Sequence, residues 1–179
     1  MMVLTILIIL ALTILFGVFQ KHSFKQILVL SLFNVYLVFV IIGIVGYPSL
    51  SQTLKDGLNI FNPTIQLIPF AEGLGISDIL NIFLFMPFGF LVATLYEKGN
   101  SFLRVLLIGF SFSLLIEVSQ LFTYYRITDV TDLITNTLGT ALGFIVFKML
   151  RIKYKPKNLS IRIIYSFLII AAILSYLNT

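Results

Sequence analysis

The sequence predicts an all-α fold: a polytopic transmembrane helix bundle of about six helices, with a partly structured outer loop after the second. Three observations predict it. The 179 residues are 59% hydrophobic and only 11% charged, with a mean hydropathy of +1.09. Soluble domains carry about 25% charged residues, so this chain cannot coat a surface for water and calls for the bilayer as a second, apolar solvent. Six apolar runs follow one another, and the basic residues favour alternate connections between them.

The runs cover residues 1–19, 27–47, 79–96, 103–122, 133–150 and 163–177. A spanning helix takes roughly 20 residues, so six spans fill most of the chain and leave no room for a separate soluble domain. Residues 1–179 are read as a single integral membrane domain. The first run lacks a basic leading region and a small-residue cleavage site, so it reads as a retained helix. The connection over residues 48–77 holds Pro48, Pro63 and Pro69 between apolar stretches, unlike a flexible hydrophilic linker. An interfacial helix or a re-entrant segment packed on the bundle is expected there, and a loop this long is often a lid or a binding loop. The third helix is expected to start at Ser77, a good capping residue, and to kink at Pro87, which cannot donate to the carbonyl of Phe83. The sixth run is the shortest and ends among Ser175, Asn178 and Thr179.

Charge sets the orientation. Lys21, Lys25, Lys98, Arg104 and the six basic residues from Lys148 to Arg162 fall in the first, third and fifth connections. Only Lys55 and Arg126 fall in the second and fourth. The positive-inside rule then makes the odd connections cytoplasmic and both termini extracytoplasmic. The basic residues from Lys148 to Arg162 would lie against anionic headgroups, which explains the net charge of +5 without nucleic acid. There is no Cys, so no disulfide, thiol nucleophile or thiolate metal site exists. His22 is the single histidine. It stands between Lys21 and Lys25, reads as a solvated loop residue, and cannot form a multi-histidine metal cluster.

Acidic residues sort the other way. Glu97 alone is cytoplasmic, while Asp56, Glu72, Asp78, Glu117, Asp129 and Asp132 fall in outer loops or the outer halves of helices. Acids contribute little to topology, so this bias needs another reason. Asp78 and Asn81, three apart, share a helix face, although an acid at a helix start also complements the dipole. Glu117 and Gln120 repeat that spacing on the fourth helix. Glu117 lies seven residues before Tyr124, roughly 10 Å below the outer boundary at 1.5 Å per residue. An ionisable group at that depth is expensive and points to function, unless it is a structural acid that is protonated or paired with Arg126. Asp129, Asp132 and Asn136 have spacings of three and four, one helical face, continuing through Gly139 and Gly143. That glycine pair is a small-residue contact where another helix can approach closely. Three helices therefore aim polar groups at the outer half of the bundle, with Arg126 as the only base among four acids. In low dielectric some acids must be protonated, a cation must bind, or water must enter. Each describes a polar pocket that opens outward.

These residues resemble the signature of the VanZ-like membrane proteins. The matching stretches are Ile68-Pro69-Phe70; Asp78 and Asn81 leading into Phe85-Met86-Pro87-Phe88-Gly89-Phe90; Glu117 with Gln120-Leu121-Phe122; and Arg126, Asp129, Asp132-Leu133, Asn136, Gly139 and Gly143 in that order. They cover about residues 66–147. The resemblance implies a bacterial cell-envelope protein. The family's namesake lowers teicoplanin susceptibility without the altered peptidoglycan terminus used by its neighbours. No biochemical mechanism comes with it.

Three functions are compatible with the residues. An outward-facing site would bind or modify an envelope component: a lipid-linked precursor, a teichoic-acid lipid or a lipoglycopeptide. There Glu117, Asp132 and Asp129 are the candidate acid–base residues. Arg126 would hold a phosphate or carboxylate, and Asp78, Asn81, Gln120 and Asn136 would contact the ligand. An acidic site can also hold a divalent cation through oxygen ligands, and nothing in the sequence requires one. A proton-coupled transporter or flippase would need acids in the inner half as well, and none is seen there. A non-catalytic binding protein fits the lack of an activated nucleophile, since Ser119 and Thr128 have no histidine beside them.

Overall fold

The computed structural model describes residues 2–40, 55–59, 61, 63–96, 101–122 and 126–151. The expected sixth helix, at 163–177, lies outside them. The described residues form five helices: α1 (Met2–Phe19), α2 (Phe24–Val38), α3 (Ile76–Leu95), α4 (Phe102–Gln120) and α5 (Val130–Met149). Two short strands, β1 (Ile65–Gln66) and β2 (Thr128–Asp129), join them. The last three helices are long and apolar enough to cross a bilayer, and the first two are shorter apolar helices. The chain divides into two compact units.

The first unit contains the α1–α2 hairpin. Its turn follows from capping chemistry. Lys21 takes a left-handed conformation (φ 54°) after α1. The His22 N–H then donates to the Gly17 carbonyl (2.8 Å) and the Lys21 N–H to that of Val18 (3.0 Å), the two bonds of a Schellman ending. His22, expected as a solvated loop residue, is half-buried, with its ring 5.9 Å from that of Phe16. Ser23 and Gln26 close α2 with a capping box, which moves its start ahead of the apolar run. A side chain at Gly17 would collide with Ile27, so the helices meet closely there. Deeper in the hairpin, the Asn34 amide donates to the Thr13 hydroxyl (2.8 Å), which donates to the Ile9 carbonyl (2.6 Å).

The second unit holds α3, α4, α5 and the strands. Glycines let its helices approach at backbone distance. A Cβ on Gly139 would overlap the Ile82 carbonyl, and one on Gly143 would overlap the Met86 carbonyl and crowd the Phe90 nitrogen. Reciprocally, Gly89 of α3 faces the backbone of Thr140, and Gly109 of α4 faces the Thr140 side chain. Around this contact Phe88 stacks on Phe112 with centroids 4.8 Å apart, and Phe85 packs 5.8 Å from Phe112. Pro87 does not end α3, which runs unbroken from Ile76 to Leu95.

Two local expectations need correction. α3 begins at Ile76, so Ser77 lies inside the first turn instead of capping it. The Asp78 carboxylate does that work, its Oδ2 accepting the Gly75 N–H at 2.7 Å, as an acid at the third helical position reaches back to the cap. Asp129 is not on the face of α5. It is the N-cap (φ −120°), and its Oδ1 accepts the Thr131 N–H at 2.7 Å.

Candidate functional site

The polar end of the second unit is assembled by pairing two segments far apart in sequence. β1 runs parallel to β2, with Ile65 opposite Thr128 and Gln66 opposite Asp129. The Thr128 N–H donates to the Thr64 carbonyl at 2.9 Å. This fixes the loop after β1 over the start of α5. In residues 63–75 the packed segment is therefore a strand and turns, not the interfacial helix that its apolar stretches allowed. The Phe70 N–H donates to the Thr131 hydroxyl at 3.0 Å, and the Phe70 carbonyl accepts the Gly73 N–H at 2.9 Å. Phe70 itself sits in the left-handed region (φ 54°), which costs a residue with a Cβ about 1–2 kcal/mol. The bonds on either side of it hold it there.

Beneath this loop lies a cavity of about 470 Å³, within the size range of small-molecule sites. Of the residues expected to form a site, Asp78, Gln120, Arg126, Asp129 and Asp132 line it. Asn81 stands behind Asp132 and donates from Nδ2 to its Oδ1 at 2.8 Å. Glu117 stands behind Asp129. It is 3% exposed, and its Oε2 accepts the Asp129 N–H at 2.8 Å. With its amide nitrogen turned towards its two acceptors, Gln120 donates to the same oxygen (3.1 Å) and to the Ile127 carbonyl (2.9 Å). The other oxygen, Glu117 Oε1, is buried without a hydrogen-bond partner. Asn136 is not at the cavity. It is buried against α4, donating to the Ser113 hydroxyl at 3.0 Å, and its own Oδ1 is also unpartnered.

The cavity also has walls that the spacing argument did not single out as site residues. Glu72, Gln66 and Ser77 border it. Glu72 was legible only as one more outer acid, because its position depends on the pairing of β1 with β2. Thr131 and Ser113 are likewise fixed by long-range partners. Ser113 had one local signal: it lies four residues before Glu117, on the same helical face.

Two hydroxyls beside the cluster are engaged. Thr128 donates to the Glu117 carbonyl (3.0 Å) and Ser119 to the Ile116 carbonyl (2.5 Å). The cavity wall itself offers, among the described residues, carboxyl groups, one guanidinium and the hydroxyls of Ser77 and Thr131. Among the described residues, no three His, Asp or Glu side chains come together closely enough to hold a metal ion.

The Thr131 hydroxyl provides a local test. Thr131→Val keeps the shape but leaves the Phe70 N–H without its acceptor, at a cost of about 1–3 kcal/mol. Amide hydrogen exchange at Phe70 and Gly73 is expected to speed up at least tenfold, while the amides of α4 stay unchanged. Unchanged exchange at Phe70 would show that this bond does not hold the loop.

Fold and site together define a helical membrane protein with a polar, carboxylate-rich cavity capped by a paired loop. The chain belongs to the VanZ/LLP1 family, whose sequence profile matches residues 2–151. It is similar to Protein VanZ of Enterococcus faecium, 29% identical over 126 residues that cover 68% of this chain and 78% of that protein. No solved structure matches it.

Proposed function

We propose that the protein binds or modifies a lipid or glycolipid of the bacterial cell envelope in the cavity between the loop after β1 and the starts of α3 and α5. In this way it would contribute to teicoplanin-type glycopeptide resistance or envelope homeostasis. The observation that carries the reading is the cavity itself: about 470 Å³, bordered by Glu72, Asp78, Asp129, Asp132 and Arg126, at one end of helices long enough to span a bilayer. A lipid headgroup is the ligand that meets a polar pocket while its chains stay in the apolar layer. Arg126 would receive a phosphate or carboxylate. If the ligand is modified, Asp132 and Asp129 are the acids and bases on the cavity wall. Glu117 acts there through the Asp129 backbone that it positions. In this reading the chain has six spans, the basic connections are cytoplasmic, the cavity faces outward, and both termini are extracytoplasmic.

Lipid extracted with the purified protein separates the alternatives. A chemically altered lipid enriched over the host membrane implicates catalysis, and an unaltered one implicates binding alone. Recovery of the bulk membrane composition, with no enrichment, would contradict the reading. Orientation is tested with single cysteines at positions 55 and 155. An impermeant maleimide is expected to label only position 55 from outside intact cells, and labelling of position 155 would reverse the assignment.

A further inference from the structure

We propose that the cavity receives a primary ammonium group carried on a phospholipid headgroup, an inference that rests on the lipid-binding reading above. Three of its carboxylates are held in the same manner. Asp78 spends Oδ2 on the Gly75 N–H, Asp129 spends Oδ1 on the Thr131 N–H, and Asp132 spends Oδ1 on the Asn81 amide. Among the described residues the second oxygen of each has no hydrogen bond, yet none of these oxygens is sealed from solvent. Asp78 is only 7% exposed and borders the cavity, so the small surface it keeps faces that space. Each carboxylate is thus fixed by one oxygen and offers the other as an acceptor, which removes much of the ordering cost of binding a donor.

The spread of these acceptors selects the ligand class. They do not converge on a point, since no three acidic or histidine side chains among the described residues can share one ion. They surround a volume of small-molecule size instead. An ammonium needs only one or two of these oxygens within hydrogen-bond reach and can give its remaining donors to water or to the headgroup's own phosphate. Among the described residues Arg126 is the only basic one on the cavity wall, which suits the phosphate that neighbours the amine in such a headgroup. A purely anionic headgroup would face the carboxylates unpaired.

The test uses the full-length protein in detergent and isothermal titration with short-chain phospholipids of matched acyl length. Phosphatidylethanolamine is expected to bind at least about tenfold more tightly than phosphatidylglycerol, which lacks the amine, and phosphatidylcholine, whose nitrogen has no N–H. That is the value of roughly one charge-assisted hydrogen bond. Asp132→Asn should remove the preference, and Glu72→Gln, at an exposed position that leaves the fold alone, should reduce it. O-phosphoethanolamine, without chains, should bind about a hundredfold more weakly than the lipid, because buried methylenes add to affinity. Equal binding of phosphatidylglycerol or phosphatidylcholine, or a preference that survives both substitutions, overturns the proposal. So does O-phosphoethanolamine binding as tightly as the lipid, which would assign the site to a soluble amine. If all three lipids bind alike and Asp132→Asn weakens them alike, the ammonium is wrong while the lipid reading stands. If none binds, both fail.

Discussion

Gly143→Leu is expected to abolish accumulation of folded protein in the membrane. A side chain at position 143 would enter the space of the Met86 carbonyl and the Phe90 nitrogen, both backbone atoms of α3. A flexible side chain could rotate away, but helix backbone cannot, so α3 and α5 would have to separate. One turn earlier Gly139 meets the Ile82 carbonyl in the same way, and Gly89 faces the Thr140 backbone from the other side. Separation at one point therefore loosens the contact along two turns. Overpacking of this kind typically costs 1–3 kcal/mol, and more when backbone must move. In the bilayer there is little hydrophobic drive to restore the pair, because helix association there depends on close packing. Gly143→Ala is the graded form, expected to cost about 2 kcal/mol and to lower the melting temperature of detergent-purified protein. An unchanged melting temperature for Gly143→Ala would contradict the close approach.

The second large effect is functional. Glu117→Gln, Arg126→Ala and Asp132→Asn are each expected to abolish activity while the protein still inserts. Glu117→Gln keeps an oxygen that can accept the Asp129 N–H but brings an amide N–H₂ where Glu117 offers an acceptor. Asp132→Asn keeps an acceptor for Asn81 and removes the charge on the cavity wall. Arg126→Ala removes the one basic side chain that borders that wall among the described residues. Hydrogen bonds to charged groups contribute about 1.5–3 kcal/mol each, so Arg126→Ala and Asp132→Asn should each lower ligand affinity by roughly ten- to more than a hundredfold, while Glu117→Gln acts by disturbing the Asp129 backbone that it holds. At Glu117 and Asp132 the polar contacts behind the cavity make near-isosteric changes the right probes, since they disturb chemistry more than shape.

The three helices long enough to span were legible because a bilayer demands long apolar runs, and all five described helices begin within about three residues of the expected runs. The starts of α2 and α3 shifted because Ser23 caps α2 and Asp78 reaches back to Gly75, choices made by cap geometry and not by hydropathy. The outer polar residues were legible as a group because unpaired acids are rare in apolar helices. Their arrangement was not. Spacing put Asp129 on a helical face, whereas it serves as the N-cap of α5. It also could not separate Asn136, buried against Ser113, from the residues that border the cavity. The pairing of Ile65–Gln66 with Thr128–Asp129 left no trace, since strands of two residues carry no alternation pattern. Glu72 and Thr131 owe their positions to that pairing, so they stayed invisible as parts of a site.

The central claim is that the carboxylate-lined cavity is the working part of the protein. The most direct measurement is teicoplanin susceptibility of cells carrying wild-type protein, Glu117→Gln, Arg126→Ala or Asp132→Asn, with membrane levels matched by quantitative blotting. The cavity account predicts that the wild-type protein lowers susceptibility and that each variant returns it to the level of cells without the protein. Full wild-type activity in all three variants would contradict it.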